Sequence, residues 1–472
     1  MNNIFDEPMA QFKKYLDRTK MDHKQYQYDG VKWILNNELA LKPICNVRGG
    51  FIADEMGLGK TILMIGTFLC NFVPNTLVIV PPVLIDQWFA QIYRTTGHKA
   101  LIYHGQDKKT ITIEQLKKAP IVISTYGAIT LTKKQKDTDT LLHKISWSRI
   151  VFDEAHHLRN SNTCLYISAK LLKSRIKWLV SGTPIQNSKK DFYSLCSMIG
   201  LPASFYTDAE NLLPLARAFI LKRTKKQVGI QMTDVIIDKS MVSWSNRKEM
   251  ELSEEIHSAL AFSHVSTEKS QSHIVNSFIE KGAILSLLLR ARQSCIYPRL
   301  MIKKLNSRDY SEAFKSSSKL DYAVGKILER KGNGCGKLIF CHFREEIDEI
   351  ARRLKAGGMK NVVTFDGRTN GGKRYDILND SNEAIILQIQ TGCEGLNLQQ
   401  NYSEIYFISP HWNPAIEDQA IARCHRIGQT KPVYVERFEM CSFDKINSDS
   451  IDTVNVEKYV GNIQESKRTF HI

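Results

Sequence analysis

No two of the ten cysteines are spaced C-x-x-C. A zinc ribbon or finger therefore has no sequence support, and scattered unpaired thiols fit a reducing, intracellular compartment. Long apolar runs are also missing. The most apolar stretch, TLVIVPPVLI, spans only residues 76–85 and holds two prolines. A membrane-spanning helix needs about 20 apolar residues, so no membrane segment is expected. The amino terminus, MNNIFDEPMAQFKK, lacks the charged-then-apolar order of a secretory signal. No tandem repeat or long low-complexity tract occurs. Acid is scarce relative to base: 49 Asp and Glu stand against 65 Lys and Arg, a net charge of +16. An excess of that size points to a polyanionic partner, most simply nucleic acid. A solvated basic surface without a partner is the alternative.

What is present is a long chain with an alternating pattern. Its 472 residues exceed the roughly 250–300 at which single cores stop growing. Short β-rich runs recur at 76–81, 100–104, 121–126, 149–154 and 178–182, with helix-like segments between most of them. A second set follows at 337–343, 362–367, 384–389, 404–409 and 432–438. Strands alternating with helices predict parallel sheets with both faces covered. The expected organisation is α/β: one domain over 1–208, a helix-rich and largely strand-free region over 209–315, and a second domain over 316–472.

The stretch GGFIADEMGLGKT (49–61) carries the first chemical signal. The phosphate-binding pattern is G-x-x-x-x-G-K-[ST]. Gly59, Lys60 and Thr61 fill its last three places, but its first falls on Asp54. Gly57 leaves the turn two residues free to take positive φ. The run Phe51–Ala53 reads as a strand entering the loop and Thr61–Ile65 as a helix leaving it. Backbone N–H groups at that helix start would attract phosphate. Lys60 would reach the outer phosphates, and the Thr61 hydroxyl would ligate Mg2+. The alternative is a glycine-rich turn with an incidental Gly-Lys-Thr.

A second signal is RIVFDEAHHLRN (149–160), an apolar run ending in Asp153 and Glu154. In a parallel sheet, ligands sit at the carboxyl ends of strands. Asp153 is expected to hold Mg2+ and Glu154 to orient the attacking water. The alternative is an acidic strand-end turn. A third signal is QAIARCHRIGQT (419–430). Arg423 and Arg426 are three residues apart, so on a helix they would share one face. Two guanidiniums there could stabilise charge on a transferring phosphate; a solvated basic helix face is the alternative.

Taken together these stretches resemble the Swi/Snf-type ATPases of helicase superfamily two. YQYDGVKWIL (26–35) resembles the adenine-recognition segment, and DEMGLGKT the family's acidic form of the phosphate loop. VIVPPVLIDQW (78–88) and IVISTYGAI (121–129) resemble its DNA-contacting segments. LVSGTPIQN (179–187) and GCEGLNL (392–398) resemble its coupling motifs, and ILKRTKKQV (220–228) the basic end of its first lobe. The likeness runs in order over most of the chain.

The resemblance implies two RecA-like parallel-sheet lobes with a helical insertion, and ATP and Mg2+ as cofactors. Lobe closure would bring the two arginines to the γ-phosphate. It implies nucleotide contacts from Gln27, Asp54, Gly57, Leu58, Gly59, Lys60, Thr61 and Gln429. Coupling would fall to His156, Ser181, Gly182, Thr183, Gly395 and Asn397. The implied activity is DNA-stimulated ATP hydrolysis by a monomeric motor translocating on duplex DNA, acting in the nucleus with transcription or chromatin proteins. A strand-separating DNA or RNA helicase and a non-catalytic, nucleotide-gated scaffold stay open as alternatives. Two departures stand out: Cys393-Glu394 replaces a glycine and a small or apolar residue, and Lys222-Arg223 replaces two arginines. The pairs Lys108-Lys109, Lys117-Lys118 and Lys133-Lys134 and the run 222–226 are candidates for a DNA track. Trp412 is either a nucleic-acid contact or a core residue.

Overall fold

The computed structural model describes residues 6–131, 140–182, 189–258, 260, 284–303, 305, 310–369, 376–377, 380–392, 398–443 and 454–469. The chain forms two units, Met1–Gln231 and Met232–Ile472.

The first unit is built on a seven-stranded sheet. Its strands are β1 (Arg48–Ile52), β2 (Thr76–Val80), β3 (Leu101–Tyr103), β4 (Ile121–Thr125), β5 (Ser146–Asp153), β6 (Lys173–Val180) and β7 (Ile220–Leu221). Their order is β3-β4-β2-β5-β6-β1-β7, and every pairing is parallel. β2 and β4 are buried along their whole length, because helices cover both faces of a parallel sheet. One core layer packs Val78, Val80 and Ile123 under the helices Gln25–Leu39, Lys60–Cys70 and Ile85–Thr96. The other packs Ile79, Phe152 and Leu179 on the opposite face. Arg149 on β5 is fully buried and forms an ion pair with the equally buried Glu38, which also accepts from the Trp178 indole at 2.8 Å. A charge this deep persists only when paired and hydrogen-bonded.

Among the described residues, the second unit holds six parallel strands: β8 (Val235–Val242), β9 (Gly336–Cys341), β10 (Val362–Phe365), β11 (Ala384–Gln388), β12 (Tyr402–Phe407) and β13 (Val433–Met440). Their order is β10-β11-β9-β12-β13-β8. Buried ion pairs recur here: Lys319 to Glu457 joins two helices, Ser318–Glu329 and Val456–Thr469, and Lys337 of β9 to Glu404 of β12 joins two neighbouring strands.

Two parallel sheets form, most of their strands in the segments 1–208 and 316–472, but β7 and β8 lie between these segments. The intermediate region differs from expectation. Residues 209–231 belong to the first unit, where β7 pairs with β1. Residues 232–315 belong to the second, where β8 pairs with β13 over eight residues. β8 escaped the reading because VIIDKSMV is an edge strand exposed through most of its length. Its hydrogen bonds come from a partner some 200 residues away, which no local pattern reveals.

Candidate functional site

Three neighbouring strands of the first sheet end level with one another. Ile52 at the end of β1 is in register with Val180 of β6, and Val180 with Asp153 of β5. The Ser181 N–H donates to the Ile52 carbonyl at 3.1 Å, tying the two exits together. The loop after β1, the turn after β6 and the acids after β5 therefore share one edge of the sheet, its carboxyl end.

The loop after β1 delivers Lys60 as the first residue of the helix Lys60–Cys70. Gly59 caps that helix in the left-handed region at φ +82, and Gly57 takes φ +92. An L side chain would be strained at either. The Lys60 ammonium donates to the Asp54 carbonyl oxygen at 2.9 Å. Across from it lies Gly182, where an added Cβ would sit 3.2 Å from the Lys60 Nζ and 2.9 Å from the Met56 side chain. Thr61 occupies the next position and is half-buried. Leu58 is fully buried, so only its backbone is available to a ligand. Gln27 is also buried, and a Cβ on Gly59 would lie 3.0 Å from its amide nitrogen. The adenine-recognition candidate thus rests against the phosphate loop.

The acids are held more firmly than their sequence suggests. The Trp88 indole donates to the Asp153 Oδ2 at 2.7 Å, and the Glu154 N–H to its Oδ1 at 3.0 Å. The Tyr126 hydroxyl donates to the Asp153 carbonyl at 2.6 Å. Burial, reinforced by the adjacent Glu154 charge, pushes the Asp153 carboxyl up to about 7. Glu154 itself is left-handed at φ +52, a conformation costing a non-glycine residue about 1–2 kcal/mol. Its carboxylate lies 3.4 Å from Nδ1 of the buried His156. Trp88 and Tyr126 lie in segments read from the sequence only as DNA-contacting, and their hydrogen bonds to the acid strand had no sequence signal.

Asp54, expected as a nucleotide contact, is engaged elsewhere. Its carboxylate is fully buried and accepts a two-pronged ion pair from Arg223. Both oxygens are taken, and a carboxylate facing phosphate would repel it. Within the basic run 222–226, Lys225 likewise turns inward to Glu55 at 3.3 Å. Two of its cations are thus ion-paired to the loop after β1, while Lys222 and Lys226 are exposed. Of the other basic pairs, Lys109, Lys117 and Lys118 are exposed, whereas Lys133-Lys134 lies outside the described residues.

In the second unit the two arginines do not share a helix face. The helix Pro414–Ile421 ends before them, and 422–428 runs as successive turns. Two contacts draw the chain off the helical path. His425 bonds the Thr233 carbonyl at 2.8 Å, and the Gln429 amide donates to the carbonyls of Gln399, Tyr402 and Cys424 at 2.9, 3.0 and 3.3 Å. Gln429, expected to contact nucleotide, is thereby committed to backbone. Arg423 is buried; burial and then the neighbouring Arg423 charge push the Arg426 guanidinium down to about 10. Trp412 packs on the core of this unit, its ring 6.3 Å from Tyr459. Thr183, Cys393, Glu394, Gly395 and Asn397 lie outside the described residues.

Comparison with known families gives two matching profiles. The SNF2-related domain profile matches residues 26–300, more than half of the chain. The chain belongs to the SNF2-related family. The helicase conserved C-terminal domain matches residues 318–428. Among relatives of this SNF2-related chain, the ATP-dependent DNA helicase DDM1 of Arabidopsis thaliana is 30% identical over 88% of the chain and 58% of its own length. The probable global transactivator of Orgyia pseudotsugata multicapsid polyhedrosis virus is 26% identical over 94% of the chain and 90% of its own length. The chain spans 58% and 43% of the first two curated relatives it matches. A solved SWI2/SNF2 ATPase core of Sulfolobus solfataricus, in complex with double-stranded DNA, is 24% identical over 90% of this chain and 89% of its own, with a TM-score of 0.40.

Proposed function

We propose that this SNF2-related chain is a DNA-stimulated ATPase that translocates on double-stranded DNA and remodels the proteins bound there. The observation that carries the reading is the shared edge at the ends of β1, β5 and β6. One lysine, two glycine turns and two adjacent acids meet there, each supplying what the others lack for phosphoryl transfer.

The roles follow from chemistry and position. Lys60 offsets charge on the outer phosphates of ATP, and the amides around Gly57 and Gly59 cradle them. Gln27 reads the adenine. Thr61 and Asp153 offer the hard oxygen donors that suit Mg2+. The adjacent acids, Asp153 buried and pushed up to about 7 by desolvation and by the partly exposed Glu154, fit a site that charge from a cation would complete. When bound, the ion offsets charge on the β- and γ-phosphate oxygens. Glu154 orients the attacking water, with His156 Nδ1 3.4 Å from its carboxylate. Arg423 and Arg426 act on transition-state charge. His156, Ser181, Gly182, Thr183, Gly395 and Asn397 couple hydrolysis to movement on DNA. Transcription or chromatin complexes are the proposed targets, in the nucleus. No helix among the described residues is long and apolar enough to cross a membrane.

Duplex phosphates as the activating ligand make a salt prediction. Phosphate contacts release condensed counterions, so the DNA concentration giving half-maximal stimulation should rise at least about tenfold between roughly 50 and 200 mM salt. Phosphate release measured across that range checks it. A flat profile would point to a protein activator instead.

A further inference from the structure

The phosphate loop has a second anchor that its motif does not require. β7 pairs with β1 through Phe51–Ile220 and Ile52–Leu221. The pairing continues past both strands into the loop: the Ala53 N–H donates to the Leu221 carbonyl at 2.7 Å and the Glu55 N–H to the Arg223 carbonyl at 2.9 Å. Side chains then lock the same two segments. The Arg223 Nε donates to the Asp54 Oδ1 at 3.0 Å, its Nη2 to Oδ2 and its Nη1 to the Tyr26 carbonyl. Its guanidinium also lies 5.4 Å from the Tyr26 ring centre. One step on, the Lys225 N–H donates to Glu55 at 2.8 Å while its ammonium pairs with the same carboxylate.

Asp54 is the hinge of this arrangement. Its carboxylate holds Arg223, and its carbonyl accepts from the Lys60 ammonium at 2.9 Å. Tyr26 stands beside Gln27, so Arg223 also reaches the adenine-recognition segment. Only residues 226–231 separate Lys225 from Met232, where the second unit begins. The segment that leaves the first unit is thus fastened to the phosphate loop by two ion pairs and two backbone hydrogen bonds.

We propose that Arg223 and Lys225 form a coupling tether that carries displacement of the chain entering the second unit to Asp54 and Lys60, and carries nucleotide occupancy back to that chain. This rests on the ATP-site reading above. It gives a physical reason for an acid where the phosphate-loop pattern places glycine: a glycine has no carboxylate with which to hold Arg223. Arg223 and Lys225 are positioning residues. A planar guanidinium suits the two-pronged grip and the reach to Tyr26, which an ammonium cannot reproduce.

The test compares Arg223→Gln, Arg223→Lys, Asp54→Asn and the double variant Arg223→Gln/Asp54→Asn. Affinity is read by titrating a fluorescent ATP analogue, and turnover is read with and without duplex DNA. Loss of a coupling contact should lower the ratio of stimulated to basal turnover in Arg223→Gln by about tenfold, while ATP affinity and basal turnover stay within about threefold. The double variant leaves no buried charge unpaired and should be no worse than Asp54→Asn alone, because the two residues act as one unit. Arg223→Lys should keep the charge but show the same loss of ratio. If Arg223→Gln melts early, the double variant and Arg223→Lys carry the comparison. An unchanged ratio, a proportional fall of basal and stimulated turnover, or additive losses in the double variant would overturn the tether. Failure of the ATP-site reading is distinguishable, because Lys60→Ala in an otherwise unaltered chain would then keep its turnover.

Discussion

Lys60→Ala should abolish ATP turnover while the first unit keeps its fold. The side chain is half-buried at the mouth of the loop, outside the core layers, and its ammonium donates to the Asp54 carbonyl. Truncation removes no core packing, and Gly59 still starts the helix. It does remove the point charge proposed to face the outer phosphates, in a site where burial amplifies electrostatics. Steady-state phosphate release with saturating ATP and duplex DNA, alongside a thermal melt, reads both outcomes. Residual turnover above about a tenth of the unaltered enzyme, a loss below about 1.4 kcal/mol, would mean that the site is misassigned.

Arg426→Ala should have an effect of similar size for a different reason. A transition-state arginine contributes on the order of 10³–10⁵ in rate. The variant should bind ATP and duplex DNA nearly normally yet hydrolyse very slowly in single-turnover experiments. Arg426→Lys should rescue poorly, since an ammonium lacks the planar fork. Arg423→Ala should follow the same direction more mildly. Burial and, after it, the neighbouring Arg423 charge push Arg426 down to about 10. A partly desolvated guanidinium suits an anionic ligand that offsets its lost hydration. Hydrolysis within about threefold of the unaltered enzyme, roughly 0.7 kcal/mol, would remove Arg426 from the chemistry.

Much of this molecule was legible before its structure. The strand–turn–helix around Lys60 and the position of Asp153 at a strand end were readable because each is local, set by residues adjacent in sequence. The two sheets were readable because buried parallel strands are continuously apolar. What was not readable depends on distant partners. β8 is an exposed edge strand held by β13, so nothing in VIIDKSMV marks it. The 422–428 turns look helical until the Gln429 amide finds carbonyls on the neighbouring segment. Asp54 looked like a tolerated irregularity in a phosphate loop, because its partner Arg223 lies 169 residues away. The Trp88 grip on Asp153 spans 65 residues and is equally silent in sequence.

The central claim is that duplex DNA drives ATP hydrolysis at the edge formed by β1, β5 and β6. Its most direct test is ATP turnover measured side by side with no nucleic acid, duplex DNA, single-stranded DNA and RNA. The account predicts low turnover alone, strong stimulation by duplex DNA, and weaker stimulation by single strands and RNA. Turnover that is equal in all four arms, or highest with RNA, would contradict it.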